Sequence, residues 1–412
     1  MDVKMEYDAR LKRIMDCIEL KEPDRVPLAL SLQAFPYYYA GCTIADAMAD
    51  YNKAGAALDK FYADFKPDLG FDPNLMYNNK YMNTAGLRFL RWPGKHLEDL
   101  NVSYQFVEGE YMLADEYPEA ISDITKFMLN KWIPRCFSNL EGLSGVDFRN
   151  SMWFNHMGAF ASFGTPGVMQ ALNNLMKAGQ ELLEWFAFLA QYQQKMTNTF
   201  GIPNMAAGYA FAPFDMIGDS MRGTVGIMMD MFDQPDNLLQ LIDVITDFAI
   251  RDTINSCSGK PVPFVIFWLH KGVDEFMSDE QFCKFYWPSL RKYIIAIIEA
   301  GLVPVLFCEG AYNSRLHHLR DIPAKKAIYS FENTDMANAK KILGDHSCIK
   351  GNIPTSLIAF GSKSEVVDCC KKLIDTCAPG GGYIMDSGAL IDNAKLENIE
   401  AIFETTYTYG KK

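Results

Sequence analysis

A chain of 412 residues, 49% hydrophobic and 22% charged, has the make-up of a folded globular protein, long enough for one large core or two ordinary ones. Its net charge of −12 argues against nucleic acid, because phosphate binding needs concentrated Lys and Arg. No apolar run is long enough to span a bilayer, so a membrane is not an expected partner.

Residues 1–16 are charged throughout and lack the apolar run of a signal peptide, which makes the cytoplasm the expected location. Ten cysteines without a CxxC pair read as reduced and mostly buried. Residues 1–21 read as one helix, with Leu11, Ile14 and Met15 towards a neighbour, broken by Glu22, Pro23 and Asp24. Residues 25–32 (RVPLALSL) read as the first buried strand. Tyr37, Tyr38 and Tyr39 follow in succession, so they cannot all face one side. Pocket lining and packing of an insertion both fit them.

Periodic apolar positions from Ala47 to Phe61 predict a helix over 43–65. Residues 68–73 read as a strand end and turn. Between 78 and 148 the pattern is weak, and this stretch reads as an insertion within a single domain covering 1–412. Residues 166–200 read as a long helix, 210–222 as a loop turning into a helix, and 223–230 and 237–253 as further helices.

Residues 263–268 (PFVIFW) predict a strand whose end carries Trp268 and His270. Ser278 and Gln281 form a capping box for the next helix. Apolar runs then recur at 304–310, 326–331, 347–353 and 382–387. Helices are expected at 335–343, 365–377 and 396–405. This alternation reads as βα units around a parallel sheet. The fold expected is α/β, a (β/α)8 TIM barrel with an N-terminal helical extension and elaborated loops. Five strands are legible, and the others must lie between 68 and 262. An open doubly wound sheet competes, but its G-x-G-x-x-G fingerprint is absent, as is G-x-x-x-x-G-K-[ST].

Reactive side chains fall where the runs end, which in such folds is the ligand-binding end. Glu309 lies between an apolar run and Gly310, where a carboxylate is costly to bury without a partner. Asp386 interrupts the last strand in the same way. Glu309, His270 and Asp386 are the expected catalytic groups. Phe35, Tyr37, Tyr39 and Trp268 are the expected pocket walls, with core packing as the alternative. Cys308, Glu309, Glu332, His346 and Cys348 are the expected ligands of a zinc ion. The competing readings are core cysteines for Cys308 and Cys348 and a helix cap for His346. Neither G-x-S-x-G nor H-E-x-x-H occurs, which leaves a hydrolase without its usual motifs.

Several short motifs resemble the uroporphyrinogen decarboxylase superfamily: 24–30 (DRVPLAL), 212–222 (APFDMIGDSMR), 276–285 (FMSDEQFCKF) with Pro288, 351–354 (GNIP), 381–387 and 396–398. The resemblance implies a (β/α)8 barrel with its site at the C-terminal mouth. The decarboxylases read their porphyrinogen with arginines after the first strand, and 32–41 holds none here. They also carry a histidine after the last strand, where this chain has Ser387 to Leu390. The resemblance is closer to the cobalamin-dependent methyltransferases. Their thiol-methylating members bind zinc through a His-x-Cys pair and a later cysteine, and those positions match Leu306, Cys308 and Ala389 here.

The function expected is methyl transfer from a small methoxylated or methylated compound, aromatic or not, to the Co(I) of a corrinoid protein. Cobalamin would be carried by that partner. A second copy of the chain is a further expected partner. A decarboxylase-like lyase and a non-catalytic corrinoid-binding barrel are the alternatives.

Overall fold

The computed structural model describes residues 2–75, 77–148 and 151–411. Six parallel strands pair in chain order: Gly208–Phe211, Phe264–Leu269, Val303–Cys308, Ile328–Phe331, Cys348–Lys350 and Tyr383–Ile384. Two extended segments complete the ring. Ala29 N donates to Met385 O at 3.0 Å, and Met385 N donates to Pro27 O at 2.9 Å. Asp68 N donates to Leu28 O at 2.7 Å. Gly70 N donates to Pro203 O at 3.0 Å, and Ala207 N donates to Phe264 O at 2.7 Å. Eight parallel segments therefore close on themselves, as a (β/α)8 barrel requires.

Alternation sorts the side chains into two layers. Phe264, Ile266 and Trp268 share one apolar cluster with Val303, Val305, Phe307, Ile328, Cys348 and Ile384. These fill the barrel. Their neighbours Phe267, Leu306, Cys308 and Tyr329 belong to the cluster that faces the helices. The N-terminal helix, Val3–Ile18, sends Ile14, Cys17 and Ile18 into the inner cluster and so plugs one end. Beside it the buried Asp68 carboxylate receives Arg13 at 2.6 Å and Arg25 at 2.7 Å.

Local chemistry corrects several boundaries. The helix expected over 43–65 is two, Ile44–Ala49 and Tyr51–Asp64. Asp50 leaves the helical region, with φ −138° and ψ 101°, and caps the second helix by accepting from Asn52 N at 2.9 Å. The stretch read as a loop from 210 contains the end of the Gly208–Phe211 strand. Four residues bounded by prolines at 203 and 213 were too few to show a period. The tyrosine triplet lies in a short helix, Phe35–Tyr39. Region 78–148 holds short helical turns and a small hairpin pairing Leu90–Arg91 with Gln105–Phe106. Among the described residues no helix is long and apolar enough to cross a membrane.

Candidate active site

The inward-facing positions just past the strand ends carry the charge. After Phe264–Leu269 comes His270, in step with Trp268 below it. After Val303–Cys308 comes Glu309, in step with Phe307, and after Ile328–Phe331 comes Glu332. Gly310 turns the chain with φ +82°, and a Cβ there would meet Val273 at 2.8 Å. Its N–H donates to Glu332 at 2.5 Å, tying the two rims together.

A helical stretch after Gly208–Phe211 supplies the orienting groups. It starts at Pro213 and runs through Pro213–Ile217 and Gly218–Arg222. Asp215 and Asp219 stand four residues apart and so share one face. Asp215 is fully buried. It accepts from His270 N at 2.9 Å, Lys271 N at 3.0 Å and the Tyr286 hydroxyl at 2.6 Å. These bonds fix the backbone that carries His270. Burial, reinforced by the charge of Asp219, pushes the Asp215 carboxyl up to about 6. Asp219 faces His270 Nδ1 at 2.6 Å and pairs with the Lys271 ammonium. Burial opposes its charge, but His270 and Lys271 hold it below the usual carboxylate range.

His270 is the group most changed by this setting. Burial disfavours its cation, yet the hydrogen bond to Asp219 and the charges of Glu309, Asp215 and Asp219 outweigh that and raise it to about 9. At neutral pH the ring is an imidazolium with both nitrogens donating. Its Nε2 lies 3.8 Å from Glu309 Oε2. That is too long for a hydrogen bond, and a substrate oxygen beside the two could reach both. Glu309, with a side chain 40% exposed, is raised above the usual carboxylate range first by burial and then by Glu332 and Asp219, with His270 opposing. The pair can therefore hold and deliver a proton at an open rim. Beneath it Tyr209 and Trp268 stack at 6.5 Å, and Trp268 meets Phe307 at 5.0 Å. Phe211 stands edge-on to His270 at 5.7 Å.

The five expected zinc ligands do not meet. Cys308 is 0% exposed and points to the helix layer, so its thiol is pushed well up by burial and stays neutral. Cys348 begins its strand at the opposite end of the barrel, near Cys17. His346 lies at that same end, bonded to Ser347 Oγ at 2.8 Å and Ile322 O at 3.1 Å. Only Glu309 and Glu332 of the five reach the mouth. A metal at His270 would have to displace its proton, which weakens binding. Among the described residues the mouth brings no three ligand atoms within 4.8 Å of one another, so its present geometry does not fit the expected zinc set.

Asp386 faces inward but is fully buried. It pairs with Lys350 and accepts from Ser31 N at 2.6 Å and Ser31 Oγ at 2.7 Å. It is a buried structural pair and does not reach the open rim. Among the described residues one trio could hold a metal, Asp279, Cys283 and His318, with ligand atoms within 4.8 Å of one another. It lies apart from the mouth, and Arg315 already donates to Asp279 Oδ1 at 3.0 Å.

Of the expected pocket walls, Trp268 forms the floor under His270. Phe35 and Tyr39 line a groove of about 810 Å³ with Tyr38, Asp99, Asn101 and Asp392. His270, Glu309 and Glu332 are not among the residues that line it. Tyr37 is buried in the core.

Sequence reasoning missed Asp215, Asp219 and Lys271. The signal was present: two acids four apart in the apolar stretch AFAPFDMIGDSM are costly to bury unless paired.

A search among curated proteins finds no match. A solved structure titled methyltransferase from Methanosarcina mazei aligns over 97% of this chain and 98% of that chain, with 15% identity and a TM-score of 0.60. At that identity the likeness shows the shared fold. A B12-independent methionine synthase from Shewanella sp. W3-18-1 covers 48% of this chain and 59% of its own at 11% identity, with a TM-score of 0.33, too low to speak to the fold. The sequence profile of the family described as Uroporphyrinogen decarboxylase (URO-D) matches residues 178–409, which takes in Asp215, Asp219, His270, Glu309 and Glu332. With more than half of its length matched, the chain belongs to the uroporphyrinogen decarboxylase (URO-D) family.

Proposed function

We propose that the protein is a methyltransferase that takes a methyl group from a small methoxylated aromatic compound and passes it to a corrinoid protein. The observation that carries this reading is the proton-bearing pair His270 and Glu309 at an open rim above an aromatic floor. An ether is a poor methyl donor because the alkoxide is a poor leaving group. A positioned acid lowers that barrier, typically by 10²–10⁴-fold. The corrinoid, carried by its own protein, supplies the nucleophile that accepts the methyl group. His270 or Glu309 gives its proton to the ether oxygen as the carbon–oxygen bond breaks, so the alcohol leaves neutral. Asp219 holds the imidazolium through Nδ1 and leaves Nε2 for the substrate. Phe211, exposed and edge-on to His270, and the half-buried Tyr209 offer apolar surface to an aromatic ring, with Trp268 and Phe307 packed beneath them.

A decarboxylase acting on a polycarboxylate is the competing reading. The mouth opposes it. Asp215, Asp219, Glu309 and Glu332 converge there, and the nearby Lys271 is already paired with Asp219. Such a site repels a polyanion.

The test is methyl transfer from a panel of methoxylated aromatic compounds to Co(I) corrinoid protein. The wild-type chain is expected to transfer. H270Q and E309Q are expected to lose about 10²–10⁴-fold with ethers. They should lose far less with a methyl donor whose leaving group needs no proton. Absence of transfer from every compound, together with CO2 release from a porphyrinogen, would replace this reading with the decarboxylase.

A further inference from the structure

Asp279, Cys283 and His318 come from two segments that lead away from the reactive rim. One runs from His270 to a helical stretch that begins at Asp279, and the other from Glu309 to the turn His318–Arg320. Ser278 and Gln281 cap the helical start and fix Asp279 in its first turn. Cys283 stands four residues on, inside the π turn Phe282–Tyr286. Residues four apart share one face, so carboxylate and thiol meet the same histidine. Phe282 lies against the His318 ring, with centroids 5.6 Å apart, and orients it.

Three ligand atoms of different kinds converge there. His318 Nε2 is 2.9 Å from Asp279 Oδ1 and 3.5 Å from Cys283 Sγ. All three lie within 4.8 Å of one another. Donors held about 2.0–2.3 Å from one tetrahedral zinc ion are roughly 3.3–3.6 Å apart, so small side-chain shifts would seat the ion. A nucleophilic thiol would need a different layout, in which the carboxylate holds one ring nitrogen and the thiol meets the other. Here both come closest to Nε2, and Sγ is 3.9 Å from Nδ1.

We propose that Asp279, Cys283 and His318 bind a zinc ion, with water as the fourth ligand, that fastens the loop after Glu309 to the helix after His270. None of the five zinc ligands expected from the sequence belongs to this set. A thiolate, an imidazole and a carboxylate together suit zinc, whereas magnesium and calcium take oxygen ligands. Cys283 is exposed and the Asp279 side chain is 53% exposed, so the ion can enter from solution. On binding, the thiol loses its proton to solvent. The metal replaces the proton that Nε2 shares with Asp279, and the neutral ring carries its hydrogen on Nδ1. The buried Arg315 donates to Asp279 Oδ1 at 3.0 Å and to Met277 O, and so holds the carboxylate from behind, as outer partners of metal ligands do. Asp274, 3.7 Å from Arg315, balances the guanidinium charge beside the ion.

The test uses the full-length chain, stripped with a chelator and titrated with Co2+, which takes the place of zinc and reports its ligands by absorption. One equivalent is expected to bind with the visible bands of tetrahedral Co(II) and the ultraviolet charge-transfer band of a thiolate on Co(II), and Zn2+ should displace it. C283S is expected to abolish the charge-transfer band, H318Q to weaken binding at least about tenfold, and E309Q to bind like the wild type. In the wild-type chain Zn2+ should protect Cys283 from alkylation by iodoacetamide, read by mass spectrometry, which reports the site even if the variants fail to fold. Co2+ uptake without the thiolate band, a band that persists in folded C283S, or alkylation of Cys283 unchanged by Zn2+ would each overturn the proposal.

Discussion

Cys308 and Glu309 are chain neighbours on opposite sides of one sheet, and that alternation decides what the rim can do. The thiol is sealed among apolar side chains under the helices, while the carboxylate opens to the mouth. C308A should therefore leave methyl transfer intact and cost stability through lost packing, about 1 kcal/mol in denaturant unfolding. His270 gives a pH test. Its proton affinity in the fold rises from the ordinary 6.5 to about 9. The stability this supplies is complete below pH 6.5 and is lost as the pH climbs to 9 and past it. Thermal unfolding followed from pH 6 to 10 should show that fall in the wild type and a flatter profile in H270Q. Matching profiles would mean that His270 is not held as a cation.

At the scale of elements, the site depends on how loops are tied down. Asp215 touches no expected substrate atom, but it holds the backbone of residues 270 and 271. D215N keeps the shape of the side chain and weakens those bonds. It should lower kcat with a smaller change in KM, and it should shift the high-pH limb of the rate profile, since Asp215 helps raise His270. A purely structural role would lower the amount of folded protein and leave that limb in place. Further round the ring, Lys350 and Asp386 form a buried pair. Removing one partner strands a charge, so K350M should cost about 3–5 kcal/mol in denaturant unfolding, and K350M/D386L should recover most of it. Full stability in K350M would show that the pair is not closed to water.

Over the whole molecule, the strands from 264 onward were legible because each lies in an apolar run bounded by turn residues and most are followed by a helix. Earlier in the ring, 25–32 reads as a strand and 68–73 as a strand end, whereas the strand Gly208–Phe211 was missed. Residues 26–32 and 68–71 are extended but pair through isolated bridges, and Gly208–Phe211 is four residues long. Gly208–Phe211 (GYAF) also runs straight into the APF segment that opens the next helix, so no turn residue between them marks where the strand ends. The site was half legible for a related reason. Glu309 and His270 were found because a charge at the end of an apolar run needs an explanation. Cys308, His346 and Cys348 were drawn in by residue type alone, and the fold sends them to the helix layer and to the far end of the barrel. Asp215 and Asp219 matter through a contact between non-adjacent segments, and spacing within the chain cannot show which partner a carboxylate meets.

In the proposed reaction His270 or Glu309 protonates the oxygen from which the methyl group departs. The most direct test is the rate of methyl transfer to Co(I) corrinoid protein across a series of methoxylated aromatics whose leaving groups grow steadily poorer. E309Q and H270Q are expected to fall further behind the wild type as the leaving group worsens. A constant ratio across the series, or variants as fast as the wild type, would contradict it.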